Sequence, residues 1–126
     1  MAEEGKISIK VWGKEEYITN TPDYCGKVLY VNPGYVCSLH RHLQKKETFG
    51  VVFGSGIIRA GTVLHRVEAG SVIHISQKAW HRFATAKGMT LIEISTNHSE
   101  LDVERRDESH KITQDTDPDL WELLYR

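Results

Sequence analysis

The sequence predicts an all-β domain, either a sandwich or a barrel built around one hydrophobic core. Short runs rich in β-branched and aromatic residues alternate with turns that contain glycine, at intervals typical of all-β folds. The chain has 126 residues, which is the size of one ordinary domain. It contains no internal repeat, low-complexity segment or interdomain linker, so we expect a single domain over residues 1–126.

The first strands are predicted by alternation and by the turns that end them. Residues 7–11 alternate between apolar and polar side chains, as a half-buried strand does. A strand over residues 27–31 should stop at Asn32-Pro33-Gly34, because Pro and Gly suit the central positions of a type II turn. Gly54-Ser55-Gly56 is predicted to form a tight hairpin that separates residues 49–53 from the strand at 57–58.

The later strands are predicted from the same kind of apolar run, and the composition then changes near the C-terminus. Residues 72–75 and 91–95 predict two further strands. In the C-terminal segment 111–126, Asp117 offers a helix N-cap, Pro118 suits the first helical position, and the apolar residues that follow predict a short helix. We expect this helix to cover one end of a barrel or a dimer seam.

Four side chains of metal-binding type stand at fixed spacing. His40 and His42 are two apart, so on a strand their side chains project to the same face. Glu47 lies at an odd offset from His42, and a bend over residues 43–46 is therefore predicted. His81 would complete the site from a later strand. Three imidazoles and one carboxylate suit one divalent transition metal, namely Mn, Zn, Fe, Co or Ni, and leave positions open for water or substrate.

These residues occur in two segments that resemble the two sequence motifs of the cupin superfamily. The first motif is a glycine, five residues, HxH, four residues, Glu, six residues and a glycine, and it is complete from Gly34 to Gly54. The second has its glycine at Gly70 and its histidine at His81, and this chain departs from the usual Pro, Gly and Asn of that motif at Ser76, Lys78 and Thr85. The resemblance implies a double-stranded β-helix, a jelly-roll barrel, over about residues 12–110.

A finer resemblance extends over most of that barrel. From Trp12 to Arg105 the chain resembles the cupin domain of type II phosphomannose isomerases, although His40 stands where that family usually carries Gln. His40, Lys45 and residues 20–27 resemble the D-lyxose isomerase group instead. Both groups are aldose–ketose isomerases, so the resemblance implies isomerisation of a sugar or a sugar phosphate through an enediolate.

Two residues are candidates for catalysis. Glu93 lies between Ile92 and Ile94, so it faces the opposite side of its strand and could act from the barrel interior as the base. The alternative is a surface glutamate on an edge strand. Lys27 is the second candidate, as an acid or as a charge beside a substrate oxygen, although a strand lysine more often reaches solvent.

Three further residues are candidates for substrate binding, each with a plainer alternative. Lys45 could hold a sugar oxygen or a phosphate, or be a solvated loop lysine. His74 could line the cavity or support a ligand by a hydrogen bond, or be a satisfied core histidine. Arg105 could close the mouth of the site, or form a surface ion pair. His98 shows no ligand spacing.

Charge and composition restrict the partners. A net charge of −1 gives no electrostatic argument for binding nucleic acid or an anionic membrane. No apolar stretch is long enough to span a membrane, and the first residues lack the apolar core of a signal peptide, so we expect a cytoplasmic protein. Cys25 and Cys37 lack CxxC spacing and are predicted to be buried thiols, with a disulfide left open. A homodimer is expected, because edge strands need cover.

Function is less constrained than fold. Cupins with three histidines and one glutamate also include iron or nickel dioxygenases, and the ligands alone do not separate oxygen chemistry from isomerisation. A non-catalytic module that binds a sugar or a metal is a third alternative.

Overall fold

The computed structural model describes residues 5–126, which form a curled antiparallel β-sheet with one short C-terminal α-helix, as predicted. The strands are β1 (Ile7–Lys10), β2 (Gly13–Asn20), β3 (Cys25–Val31), β4 (Tyr35–Val36), β5 (His40–His42), β6 (Glu47–Ala60), β7 (Val63–Glu68), β8 (Val72–Ile75), β9 (His81–Thr85), β10 (Met89–Ser95), β11 (Val103–Arg105) and β12 (His110–Lys111). A 3₁₀ turn (Glu100–Asp102) precedes β11, and α1 spans Pro118–Tyr125.

The sheet curls into two halves that face each other across the core. One half has the order β1-β2-β3-β10-β6-β8, and the other contains β7, β9, β4 and β12 together with the pair β5 and β11. Side chains that face inward from both halves, including Leu29, Phe49, Ile58, Phe83 and Leu91, are almost fully buried. Because inner and outer residues alternate along each strand, the sequence shows the alternation typical of sheets with one buried face.

Strand β6 belongs to both halves of the sheet, and here one prediction was wrong. Gly54-Ser55-Gly56 does not form a hairpin, since the strand continues through it and turns only after Ala60. A Cβ atom at Gly54 would lie 2.2 Å from the carbonyl oxygen of Gly88, and Gly54 has φ of +81°. These glycines therefore allow a neighbouring backbone to approach while β6 bends from β10 towards β9.

The C-terminal helix covers the outer face of the second half. Leu120 is buried in a small cluster with Val36, Ile57 and Ala84, which lie on the opposite side of the sheet from the main core. Pro118 occupies the first turn, as predicted. Asp117 stands at the N-cap position without a capping hydrogen bond, because its carboxylate accepts one from Nε2 of His110 at 2.9 Å instead.

Other predictions for local structure agree with the described residues. Gly34 has φ of +84°, as the third residue of a type II turn requires. Cys25 and Cys37 are buried free thiols. Burial raises the pKa of the Cys37 thiol to about 12, so this thiol is protonated at neutral pH. Within residues 5–126, no helix has both the length and the apolar character needed to cross a membrane.

Candidate metal centre

Three histidines meet inside the barrel at the junction of β5 and β9. His40 and His81 pair directly across these strands, and their ring centroids lie 4.3 Å apart. One ligand nitrogen from each of His40, His42 and His81 lies within 4.8 Å of the others. Arg41, between the first two, points outward to the carboxylate of Glu104, so the alternation along β5 places both imidazoles on the inner face as predicted.

Backbone carbonyls orient all three rings in the same way. Nδ1 of His40 lies 2.8 Å from the carbonyl oxygen of Ser38, Nδ1 of His42 lies 3.2 Å from that of Asp102, and Nδ1 of His81 lies 3.0 Å from that of Ala79. A carbonyl accepts only, so each Nδ1 carries the proton and each Nε2 has a free lone pair directed at the common centre. This arrangement is the usual support for metal-binding histidines.

Glu47 adds a carboxylate to the same centre. Its Oε2 lies 3.4 Å from Nε2 of His42 and 3.3 Å from Nε2 of His81. Both Oε2 of Glu47 and Nε2 of His81 are buried without a hydrogen-bond partner. Two such atoms aimed at one point fit a bound cation, since buried polar atoms are otherwise costly to leave unsatisfied. The four predicted ligands are therefore brought together and suit a divalent ion.

The bend before Glu47 is held by a single carboxylate. Asp102 accepts hydrogen bonds from the backbone N–H groups of Leu43, Gln44 and Lys45, at distances of 3.0 to 3.3 Å. The predicted departure from strand geometry over residues 43–46 is observed. It brings Glu47 onto the inner face despite its odd offset from His42.

The three imidazoles differ in pKa because they have different charged neighbours. Burial, followed by the neighbouring His81, lowers the pKa of His40 to about 3, and burial, followed by Lys45, lowers that of His42 to about 3. Burial also acts to lower the pKa of His81, but the Glu47 carboxylate outweighs it and the pKa is raised. Two of the ligands are thus neutral at neutral pH, and protons compete with a metal ion chiefly at the third, His81.

The metal centre opens into a cavity of about 340 Å³, in the range of small-molecule sites. Its walls combine apolar side chains with two pairs of opposite charge, Glu15 with Lys27 and Glu93 with Lys45, and with an arginine. The apolar part includes Trp12, Leu29, Phe49 and Phe83, and the charged part includes Glu15, Lys27, Lys45, Glu93 and Arg105.

Register places the two catalytic candidates side by side in this cavity. Glu93 on β10 pairs with Lys27 on β3, and both are buried, with 5% and 2% of their surface exposed. Nζ of Lys27 lies 3.4 Å from Oε1 of Glu15 and 4.7 Å from the ring centre of Tyr17. Burial alone would lower the pKa of Lys27, but Glu93 and Glu15 raise it, so the ammonium stays charged. Glu93 faces the interior and is not a surface glutamate, so the structure decides between the two alternatives that the sequence left open.

Lys45 is a buried partner of Glu93 rather than a solvated loop lysine. Its Nζ lies 2.5 Å from Oε2 of Glu93, and only 2% of the residue is exposed. Burial alone would raise the pKa of Glu93, but the ammonium groups of Lys45 and Lys27 lower it to about 2. Glu93 is therefore a carboxylate throughout the neutral range.

The other two substrate-binding candidates are placed differently. Arg105 lines the mouth of the cavity, on the strand that pairs with β5. His74 does not line it. The side chain of His74 is exposed on the outer face of β8, where Nδ1 lies 2.9 Å from the hydroxyl of Thr48, so the structure corrects the expected position. The neighbour Ile75 is buried, and strand alternation then sends His74 outward.

His98 lines the cavity although its spacing gave no sign of it. Nδ1 of His98 lies 2.9 Å from Nζ of Lys45, and its ring centre lies 6.0 Å from that of His42. It stands in the irregular segment after β10, where no periodicity applies. The one sequence feature that could have indicated this position is that His98 follows closely after β10, the strand that contains Glu93.

Sequence comparison decides the family. The cupin domain family matches residues 27–95, which is more than half of the 126-residue chain and contains all four ligand positions. The chain belongs to the cupin family. No match was found among curated protein sequences.

Several solved structures share the fold at low sequence identity. CapF, a capsular polysaccharide assembling protein from Staphylococcus aureus, is 22% identical with a TM-score of 0.70 over 79% of this chain, which spans only 33% of CapF. KdgF from Halomonas sp. is 16% identical with a TM-score of 0.69, over 79% of this chain and 93% of that one. Oxalate decarboxylase from Bacillus subtilis is 15% identical with a TM-score of 0.73, over 82% of this chain and 30% of that one. These likenesses show the fold alone.

The departures from the second cupin motif are accommodated locally. Lys78, which replaces the usual glycine, has φ of +65°, the one positive value at a non-glycine residue within residues 5–126. Its N–H donates to the carbonyl oxygen of His42 at 2.8 Å, which ties this turn to the metal centre. Thr85, which replaces the usual asparagine, donates to the carbonyl oxygen of Ser55 and accepts from the N–H of Gly88.

Proposed function

We propose that this cupin is a metal-dependent aldose–ketose isomerase that acts on a sugar or a sugar phosphate through an enediolate. The observation that carries the proposal is the position of Glu93, a carboxylate ionised at neutral pH that lines the same cavity as the metal centre. Isomerisation needs such a group, because a proton must leave one carbon and return to its neighbour.

The donor set of the centre is compatible with this chemistry. His40, His42, His81 and Glu47 would hold one divalent ion, which would supply Lewis-acid stabilisation of the charge that develops on adjacent sugar oxygens. The set contains imidazole and carboxylate but no thiolate, so Mn, Zn, Fe, Co and Ni all suit it.

Glu93 would move the proton between the two carbons. Its ionisation is maintained by Lys45 and Lys27, and a pKa of about 2 makes it a weak base while both ammonium groups face it. A substrate oxygen that accepts a hydrogen bond from Lys45 would weaken the ion pair between Lys45 and Glu93, and this would raise the basicity of Glu93. Lys27 would donate a hydrogen bond to a second substrate oxygen, since its closest carboxylate, Glu15, lies at 3.4 Å.

The remaining lining of the cavity suits a small polar substrate. Trp12, Leu29 and Phe83 supply apolar walls that limit water near the proton-transfer step. Arg105 at the mouth would accept an anionic group, which is the role we propose for it if the substrate is a sugar phosphate. CapF is described by its role in capsular polysaccharide assembly, a context that agrees with a carbohydrate substrate, although the likeness in itself concerns the fold.

An anaerobic NMR assay in deuterated water tests the proposal. Manganese-loaded protein would be incubated with mannose 6-phosphate, fructose 6-phosphate, mannose and lyxose, and quenched samples freed of metal before spectra are recorded. We expect product, with deuterium at the carbon beside the carbonyl. Neither product nor exchange on any sugar would contradict the proposal. Oxygen uptake by the iron-loaded protein would then favour the dioxygenase alternative, and metal binding without either reaction would favour a binding module.

A further inference from the structure

A chain of four polar side chains runs from the cavity interior to the surface. Lys45 Nζ lies 2.5 Å from Oε2 of Glu93 and 2.9 Å from Nδ1 of His98. Nε2 of His98 contacts the carboxylate of Glu100. The side chain of Lys45 is 1% exposed and that of Glu100 is 66% exposed, so the chain leads from the buried site to its rim.

Donor and acceptor chemistry fixes the direction of these bonds. An ammonium group only donates, so Nδ1 of His98 must accept from Lys45. A neutral imidazole has one acceptor and one donor, so the proton lies on Nε2, which donates to Glu100. This tautomer is the reverse of that assigned to His40, His42 and His81. Since both ring nitrogens of His98 are engaged, this histidine is not a fourth imidazole ligand.

Both ends of the Lys45–His98 contact are anchored by side chain to backbone hydrogen bonds. Asn20, at the end of β2, accepts from the N–H of His98 at 3.0 Å and donates to its carbonyl oxygen at 3.1 Å. Asp102 holds the backbone N–H of Lys45. A flexible lysine side chain is therefore fixed between two anchored segments, which removes most of its rotamer freedom before substrate arrives.

We infer that His98 is a positioning residue that, together with Glu100, holds the Lys45 ammonium against Glu93 and directs it at a hydroxyl or oxyanion of the substrate. This role rests on the proposed isomerase function. An ammonium group has three N–H donors; one is directed at Nδ1 of His98, and the ion pair with Oε2 of Glu93 occupies a second side of the group. The third is left for a substrate oxygen. Without His98, the Lys45 ammonium would lose the second contact that defines its direction.

Three variants separate positioning from general support of the fold. His98→Phe keeps an aromatic ring beside Tyr17 and His42 but removes both hydrogen bonds. His98→Gln restores an acceptor for Lys45 and a donor for Glu100. His65→Phe is the matched control, since His65 lies on β7 and does not line the cavity.

The first readout does not depend on turnover. Two-bond ¹H–¹⁵N spectra of the zinc-loaded, histidine-labelled protein should show His98 protonated at Nε2, with its assignment given by the signal lost in His98→Phe. A slowly exchanging Lys45 ammonium signal should be present in wild type and His98→Gln and lost in His98→Phe. An Nδ1–H tautomer, or an unaltered Lys45 signal in His98→Phe, would overturn the inference even if a sugar is turned over.

The second readout uses the sugar found in the anaerobic assay. We expect His98→Phe to lower kcat by about tenfold or more with little change in KM, and His98→Gln to recover most of it. Metal content should equal that of wild type in all variants. Loss of metal in His98→Phe, or failure of His98→Gln to recover kcat, would assign His98 a structural role and overturn the inference. If no sugar reacts, the isomerase proposal fails, and the NMR readout alone decides the role of His98.

Discussion

Nζ of Lys45 lies 2.5 Å from Oε2 of Glu93 inside the barrel, so a loop residue and a strand residue form a buried ion pair beside the metal centre. Neither residue could bury its charge alone at reasonable cost. The burial of each charge therefore depends on the presence of the other residue. The pair also connects the bend before Glu47 to the strand that carries Glu93, the proposed base.

Replacing Glu93 by Gln should separate catalysis from metal binding. We expect the metal content to be unchanged and kcat to fall by at least about 100-fold, because the amide cannot accept the proton. The substitution leaves Lys45 and Lys27 without their shared carboxylate, so the free energy of unfolding should drop by about 3 kcal/mol in denaturant titrations. The double variant Glu93→Gln/Lys45→Met should regain part of that loss. An active Glu93→Gln protein would remove Glu93 as the base.

Replacing His42 by Ala should abolish metal retention. His42 supplies one of the three imidazoles that converge with Glu47, so its removal costs the ion one of four protein ligands and leaves a gap in the site. Elemental analysis after dialysis should find about one metal per wild-type chain and almost none in the variant. His65→Ala is the matched control, and equal metal content in both variants would show that the site is misassigned.

Metal affinity should fall as the pH is lowered. The pKa of His81 is raised by Glu47, whereas those of His40 and His42 are lowered to about 3, so His81 is the ligand that protons occupy first. Below the pKa of His81, affinity should drop by about tenfold per pH unit. Calorimetry in buffers of different ionisation enthalpy should detect a proton released on binding. Affinity independent of pH and of buffer would contradict the assignment.

Replacement by alanine should affect the stability of the protein differently at two glycines of β6. Gly54 has φ of +81° and its added Cβ would lie 2.2 Å from a backbone oxygen, so Gly54→Ala should destabilise the protein by at least about 2 kcal/mol. A Cβ at Gly50 meets nothing within 4 Å, and Gly50→Ala should change stability by less than about 1 kcal/mol. Thermal unfolding of both variants makes the comparison, and similar melting temperatures would argue against the bend.

We propose that the chain forms a homodimer through β1. Among the described residues β1 pairs with β2 alone, and its Ile7 and Ile9 side chains are 52% and 78% exposed. The alternative seam at α1 is less suitable, because Leu120 packs against its own chain. Sedimentation equilibrium should give twice the chain mass of 14.4 kDa, and Ile7→Lys should reduce it to one chain mass, unlike Val63→Lys on the exposed part of β7. A wild-type monomer would contradict the proposal.

Local patterns predicted those elements whose cause is local. The turn at residues 32–34 and the first turn of α1 depend on the restricted φ of proline and the freedom of glycine, which act within a few residues. The same glycine rule failed at residues 54–56. There the glycines are required by the backbone near Gly88, a neighbour that no short window of sequence contains.

By itself, the sequence determined the all-β class and singled out four candidate metal ligands, because strand periodicity and ligand spacing are properties of short segments. Only the tertiary structure decided that Lys45 and Lys27 are buried beside Glu93, that His74 points outward and that His98 enters the cavity. Those outcomes depend on strand register and on loops packed against distant strands. The physical reason is that burial of a charged group depends on the partner it meets, and that partner comes from another part of the chain.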